Sequence, residues 1–319
     1  MKIKEKPADF IVKEKLKLPL GTGHYAYFLL KKINWNTMDA IKEIAEKLNI
    51  SESRIHYGGI KDKQALTEQH ISIEHGYKQM ENTVITDMEL VYLGEGAERI
   101  HTGMLEGNAF EITVREIDSG ANVIKHMPNY FDDQTFGIEN TNAKVGKALV
   151  QKNFKEACEI LSLDVEENNY IGALQKHGRI LKLYLHSYQS KIFNNILSEY
   201  IKIKYKYKLL ECGYEQLAFP TEEVKDTIKI PLINFDAELE GEIAEIAKAV
   251  LEKEGITERD FLIRPMPDLV SQTEYRDGFA EIKNLELSEL KDKTQKAKFW
   301  LQKGSYATVA IKALFLHNI

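Results

Sequence analysis

Apolar and charged residues alternate over positions 8–18, with Phe10, Val12, Leu16 and Leu18 in phase, the period-two signature of a strand with one buried face. Gly21-Thr22-Gly23 interrupts this run before a second apolar stretch at 24–30, and the pair predicts a hairpin. A lone Gly-x-Gly with no glycine-rich helix start after it is weak evidence for nucleotide binding. Over 37–48 the period changes: Met38, Ile41, Ala45 and Leu48 fall on one helical face, predicting a helix packed on the sheet. Leu66, Gln69, Ile71 and Ile73 then predict a strand leaving a glycine turn. Further strands are expected at 88–93, 108–116, 179–185, 295–301 and 306–315, and helices at 142–163, 187–204 and 239–254. Strands broken by scattered helices, without a regular βαβ rhythm, predict an α+β fold. No internal repeat or low-complexity tract is visible.

A chain of 319 residues with 43% apolar content can bury a full core, as one large domain or two smaller ones. The net charge of −6 does not by itself suggest a nucleic-acid binder. The distribution changes that picture: residues 1–65 carry 13 Lys and Arg against 8 Asp and Glu, whereas 66–150 carry 6 against 14. Local patches, not the total, set the field that a polyanion meets. The opening Met1-Lys2-Ile3-Lys4-Glu5-Lys6 lacks the apolar run of a signal peptide, and no stretch reaches the roughly 20 apolar residues of a membrane span. Cys158 and Cys212 are far apart, and the nine histidines show no ligand spacing, so a reduced, cytoplasmic, metal-free protein is expected.

Chemistry concentrates at Tyr57-Gly58-Gly59-Ile60-Lys61-Asp62-Lys63-Gln64-Ala65-Leu66-Thr67-Glu68-Gln69. Two glycines loosen the backbone ahead of a carboxylate set between two lysines, and those cations favour its ionised form. Such a group can serve as a nucleophile at neutral pH. Read alone, Gly-Gly-x-Lys-Asp also describes a solvated hairpin turn.

The string resembles the signature of the TruD family of tRNA pseudouridine synthases, through Gly59, Lys61, Asp62, Ala65, Thr67 and Gln69. Three more stretches resemble that family in the same order. Lys4, Pro7, Asp9, Phe10 and Val12 match its N-terminal motif. Pro128, Asn129, Tyr130, Phe131, Gln134, Phe136 and Gly137 match its Asn-Tyr-Phe motif. Gly304-Ser305-Tyr306-Ala307-Thr308 matches its closing strand, and Gly107-Asn108-Ala109-Phe110 is a further landmark. Asp132 stands where the family has glycine, and Thr135 where it has arginine, so this chain dispenses with that arginine or supplies one from elsewhere.

The resemblance implies a catalytic domain over 1–148 and 281–319, with a mixed, largely antiparallel sheet flanked by helices. It also implies an inserted α+β TRUD-type domain over 149–280. It places the nucleophile at Asp62 and the uracil-reading amide at Asn129, near Asp62. Phe10, Phe131 and Tyr306 become aromatic contacts to the base, and Lys4, Lys61 and Gln69 supporting residues, with Lys4 or Lys61 as the cation beside Asp62. The substrate implied is tRNA, at uridine 13, with no cofactor and no membrane partner; oligomeric state is left open. Extracting a base from structured RNA costs a few kcal/mol, and stacking on an aromatic returns about 1–3 kcal/mol. The alternative is an RNA-binding or RNA-chaperone module without catalysis; an aspartate-nucleophile hydrolase of small molecules is weaker still.

Overall fold

The computed structural model describes residues 1–318 and divides them into two compact units. The first comprises 1–123, 281–304 and 317–318, and the second 124–280 and 305–316.

The first unit is built on β1 (Phe10–Leu16), β2 (Tyr25–Ile33), β3 (Ile55–Tyr57), β4 (Leu66–Glu74), β5 (Met88–Gly96), β6 (Leu105–Arg115), β7 (Lys283–Leu287) and β8 (Thr294–Gln302). Seven of them lie in the order β7-β8-β6-β1-β4-β2-β5, and β3 joins the free half of β4. Only β1 and β4 run parallel; the other pairs are antiparallel. β1 buries Phe10, Val12 and Glu14 and turns Lys13 and Lys15 outward, as its alternation requires.

The hairpin expected at Gly21-Thr22-Gly23 does not form, because β4 lies between β1 and β2 and pairs with both. Thr67, Gln69, Ile71 and Ile73 of β4 are completely buried, a pattern that suits a central strand. The connection over 17–24 therefore crosses two inter-strand spacings, about 10 Å, instead of closing a tight turn. Glycine freedom is not used at Gly58 or Gly59 either, since neither takes a positive φ.

The helix predicted over 37–48 is α1, Thr37–Leu48. The Asn36 side chain caps it by accepting the Asp39 N–H at 2.8 Å, and Asn49 ends it in the left-handed region at φ 52°. Ala40, Ile41, Ile44 and Ala45 pack on Phe28, Leu30, Ile71, Ile73 and Leu90 of the sheet. Each fully buried isoleucine or leucine contributes about 1.5–3 kcal/mol. Met38, read from its spacing as a core residue, is instead 52% exposed.

The second unit is organised by α2, Gly178–Lys204, which buries Tyr188, Ile192, Phe193, Ile196 and Leu197. Residues 179–185, predicted as a strand, are its first two turns. Leu181, Tyr184, Leu185 and Tyr188 point inward while Ile180 and Leu183 stay exposed, the helical spacing that the local alternation conceals. Gly146, in the helix Thr141–Val150, meets this bundle with no room for a side chain: a Cβ there would lie 2.1 Å from the Tyr184 carbonyl oxygen. The predicted helix over 142–163 is two helices, Thr141–Val150 and Phe154–Ile160, parted at Lys152 with φ 62°. The expected strand at 306–315 is also a helix, α3 (Ala307–Leu314). Its β-branched Thr308, Val309 and Ile311 suggest strand, but Ala307, Ala310 and Ala313 favour helix.

Candidate active site

Asp62 lies in the loop between β3 and β4. Its Oδ2 accepts from Lys4 Nζ at 2.8 Å, and the two side chains are 21% and 19% exposed. The pair is thus partly shielded from water and partly open to it. Lys4 is therefore the cation beside the carboxylate. Lys61 turns the other way, and its Nζ donates to Glu14 Oε1 at 2.8 Å.

The segment bearing Lys4 is pinned on both sides. Lys2 and Arg115 exchange backbone hydrogen bonds of 2.8 and 2.9 Å. Arg115 grips Asp9 through Nε at 3.0 Å and Nη2 at 2.7 Å, while Asp9 accepts the Lys6 N–H at 3.0 Å. Between these anchors Lys4 takes a left-handed φ of 62°, an uncommon conformation for a side-chain-bearing residue. Its ammonium also sits 4.2 Å from the Phe10 ring centroid, a cation–π contact. Phe10 is only 2% exposed and packs edge-on against Phe110, so in this structure its ring is covered.

Beneath the loop a buried polar chain holds its shape. The Lys61 N–H donates to Thr37 Oγ1 at 2.9 Å, and the Thr37 hydroxyl donates to Gln69 Oε1 at 2.9 Å. Gln69 Nε2 then donates to the Gly59 carbonyl at 3.3 Å. Gln69 thus supports the loop from beneath. Glu14 Oε2 accepts the His70 N–H at 2.7 Å. Burial would push the Glu14 carboxyl up, but the hydrogen bonds from His70 and the charge of Lys61 outweigh it and hold it below its ordinary value. Lys32, 1% exposed, donates to the Trp35 carbonyl at 2.5 Å and the Asp62 carbonyl at 3.3 Å. Burial pushes its ammonium down to about 8, against the pull of Asp62.

Glu14 and Lys32 escaped the sequence reading, yet each carried a signal. Both occupy the inward phase of an apolar alternation, Phe10-Val12-Glu14 and Phe28-Leu30-Lys32, and a charge there needs a buried partner.

The second unit gathers Asn129, Phe131 and Tyr306. Asn129, 2% exposed, accepts at Oδ1 from Arg276 Nη2 at 2.7 Å and from Ser305 Oγ at 3.0 Å. Its Nδ2 donates to the Asp277 carbonyl at 3.0 Å, and its own carbonyl accepts from Arg276 Nε at 3.0 Å. The Arg276 guanidinium carbon lies 4.1 Å from the Phe131 ring centroid, and burial pushes its pKa down to about 10, still well above neutrality. Phe131 meets Phe193 and Tyr306 edge-on at 5.5 and 6.2 Å. Arg276, 147 residues from Asn129, belongs to no motif, and nothing local in the sequence marks it.

Both departures from the resemblance have partners here. Thr135 Oγ1 lies 2.6 Å from the Tyr306 hydroxyl. Asp132, 6% exposed, accepts from Thr308 Oγ1 and, at 3.3 Å, from Lys312 Nζ. Burial opposes its ionisation, but Lys312 and Thr308 prevail and hold its carboxyl below the ordinary value. Tyr306, read as part of a strand, is instead the residue that opens α3, and burial pushes its phenol up.

Among the described residues, no cluster of His, Cys, Asp and Glu fits a metal ion, and no helix is long and apolar enough to cross a membrane.

The sequence model of the family tRNA pseudouridine synthase D (TruD) matches residues 1–166 and 207–314. A Nanoarchaeum equitans relative named "Probable tRNA pseudouridine synthase D" is 34% identical, with all of both chains covered. The tRNA pseudouridine synthase D of Aquifex aeolicus is 28% identical over 100% of this chain and 99% of its own. A crystal structure of a Methanosarcina mazei chain described as TruD superposes with a TM-score of 0.71 at 24% identity, covering 98% of this chain and 93% of that one. That last likeness establishes the α+β fold.

Proposed function

Because this chain belongs to the tRNA pseudouridine synthase D (TruD) family, we propose that it isomerises a uridine of tRNA, uridine 13 by family resemblance, to pseudouridine with Asp62 as nucleophile. In this reading residues 1–148 and 281–319 form the catalytic domain and 149–280 an inserted TRUD-type domain. Asp62 attacks the ribose C1′ as its bond to uracil N1 breaks, the freed uracil rotates while still held, and its C5 displaces the carboxylate from C1′; the proton lost from C5 is balanced by one gained at N1. Composition is unchanged, so the reaction needs no oxidant, reductant or co-substrate.

The observation that carries the proposal is the Asp62–Lys4 pair at 2.8 Å, part-exposed and fixed from beneath. A carboxylate that acts as a nucleophile must be ionised and poorly solvated at once. The Lys4 ammonium at contact distance on a pinned segment supplies a counter-charge to that carboxylate, and the partial burial of the pair limits its hydration. Asn129, Phe131 and Tyr306 hold the uracil, the amide reading its edge and the rings stacking on it. Phe10 is the remaining aromatic contact, and it engages a base only after the Lys4 ammonium yields its face.

The test is Asp62→Asn assayed on unmodified tRNA, with pseudouridine mapped at nucleotide resolution. The synthase reading expects tRNA affinity unchanged, with a steep fall of affinity as salt rises, and pseudouridine formation abolished. Isomerisation surviving in Asp62→Asn removes that residue from the mechanism. Tight tRNA binding by the unmodified protein with no isomerisation of any uridine leaves the RNA-binding module instead.

A further inference from the structure

Asn129 can face a ligand with its carbonyl oxygen or its amide nitrogen, and the hydrogen-bond network decides which. Arginine donates and never accepts, so the atom 2.7 Å from Arg276 Nη2 is the oxygen. Ser305 Oγ, at 3.0 Å, occupies the same oxygen. Both of its lone-pair positions are then taken. The nitrogen gives one hydrogen to the Asp277 carbonyl at 3.0 Å, and one amide hydrogen remains. The backbone is held as well: the Asn129 carbonyl accepts from Arg276 Nε at 3.0 Å, and the Asn129 N–H donates to the Gly278 carbonyl at 2.8 Å. Neither a flip of the amide nor a shift of the residue is available without breaking Arg276 away.

We propose that Arg276 is a positioning residue that locks Asn129 as a donor only, and that this makes the site select uracil over cytosine through the base's C4 substituent. The proposal rests on the synthase reading above. Uracil presents a carbonyl acceptor at C4, whereas cytosine presents an amino donor there; the C2 carbonyl is common to both and cannot discriminate. An amide whose oxygen is already saturated donates to the uracil carbonyl and meets the cytosine amino group hydrogen to hydrogen. The guanidinium also covers the Phe131 ring at 4.1 Å and lies 5.6 Å from the Phe193 centroid, so one side chain sets both the amide and the ring beside it. A guanidinium, absent from position 135, is thus delivered by Arg276 within the same cluster as Thr135, Tyr306 and Phe131. Its planar fork reaches two acceptors of one residue, which a lysine cannot do.

The experiment measures binding of two tRNAs, identical but for U or C at the target position, to full-length protein carrying Asp62→Asn so that nothing turns over. The parent is expected to prefer U by about tenfold, the size of one lost hydrogen bond with an unsatisfied group left behind. Adding Arg276→Met frees the amide to turn and brings the ratio towards unity, while Ser305→Ala, which frees one lone pair but leaves the guanidinium holding the amide, lowers the ratio less than Arg276→Met does. Asn129→Asp retains an acceptor for Arg276 but cannot donate, so its preference reverses towards C even where Arg276→Met proves unstable. A ratio unmoved by Asn129→Asp, in protein that melts as the parent does, overturns the inference. Isomerisation of the U substrate by protein with Asp62 intact is scored separately. Its absence refutes the synthase reading, whereas normal isomerisation with an unmoved ratio refutes only the locking role.

Discussion

Lys4 Nζ and Asp62 Oδ2 meet at 2.8 Å although 58 residues separate them. The contact is made by the fold: β1 lies parallel to β4 with Ile11 beside Leu66, which brings the segment before β1 to the loop before β4. If this cation holds the nucleophile ready, Lys4→Gln lowers kcat by about a hundredfold, the scale of one lost electrostatic contact to reacting charge. KM for tRNA should stay within about twofold, because the Lys4 ammonium is spent on Asp62 and not on binding the RNA backbone. Lys4→Arg restores part of the rate. Steady-state kinetics on one tRNA transcript decide it, and an unchanged kcat in Lys4→Gln would remove the pair from the mechanism.

The Glu14–Lys61 pair predicts a stability effect. Both side chains are essentially excluded from water, at 0% and 6% exposure. Lys61→Met therefore leaves the buried Glu14 carboxylate with its His70 hydrogen bonds but without its cation and costs about 3 kcal/mol, read as a shift of the urea midpoint at neutral pH.

Acid should weaken the fold through the same carboxylate. The Glu14 carboxyl is lowered from its ordinary 4.5, so the unfolded chain takes up a proton before the folded one does. Its contribution is complete above about pH 4.5 and is lost as pH falls through the lower folded value. Asp9, lowered chiefly by its hydrogen bonds from Arg115, and Asp132, where Lys312 and Thr308 outweigh burial, act in the same direction. Midpoints measured down the acid limb should fall less steeply for Glu14→Gln than for the parent.

Lys32 gives an alkaline signature. Burial lowers its ammonium from 10.5 to about 8. Between those values the unfolded chain binds more protons at this site, so the contribution of Lys32 to stability rises with pH there. Function runs the other way, because the neutral amine grips the Trp35 and Asp62 carbonyls less firmly than the ammonium does. A fall in kcat near pH 8 that disappears in Lys32→Met, on a lower plateau, is the expected result. A parent profile flat through that range contradicts it.

Asp132 and Lys312 should behave as a coupled pair. Lys312→Met alone strands a buried carboxylate and lowers stability by about 3 kcal/mol, whereas Asp132→Asn with Lys312→Met recovers most of the loss, since Thr308 can still donate to the amide oxygen. A thermal double-mutant cycle measures the coupling, and additive losses would show that the two do not interact.

The local sequence determined a good deal. The alternation through Phe10 and Val12, the helical face of α1 and the strand Leu66–Glu74 are all short-range patterns that survive folding. The Lys61-Asp62 and Asn129-Tyr130-Phe131 motifs are contiguous, so their candidates could be named from the chain alone. Partnership could not. Whether Lys4 or Lys61 meets Asp62 depends on Glu14 claiming Lys61, and that depends on which strand lies beside β1. The hairpin reading of β1 and β2 failed for the same reason, because burial of β4 is a property of the whole sheet. Period-two alternation at 179–185 and β-branched residues in 308–311 favoured strands, and only packing along entire helices reversed them. Arg276 reaches Asn129 across 147 residues. Such a contact is selected by the geometry of a folded interior, where a buried amide must be satisfied, and leaves no trace in the spacing of its neighbours.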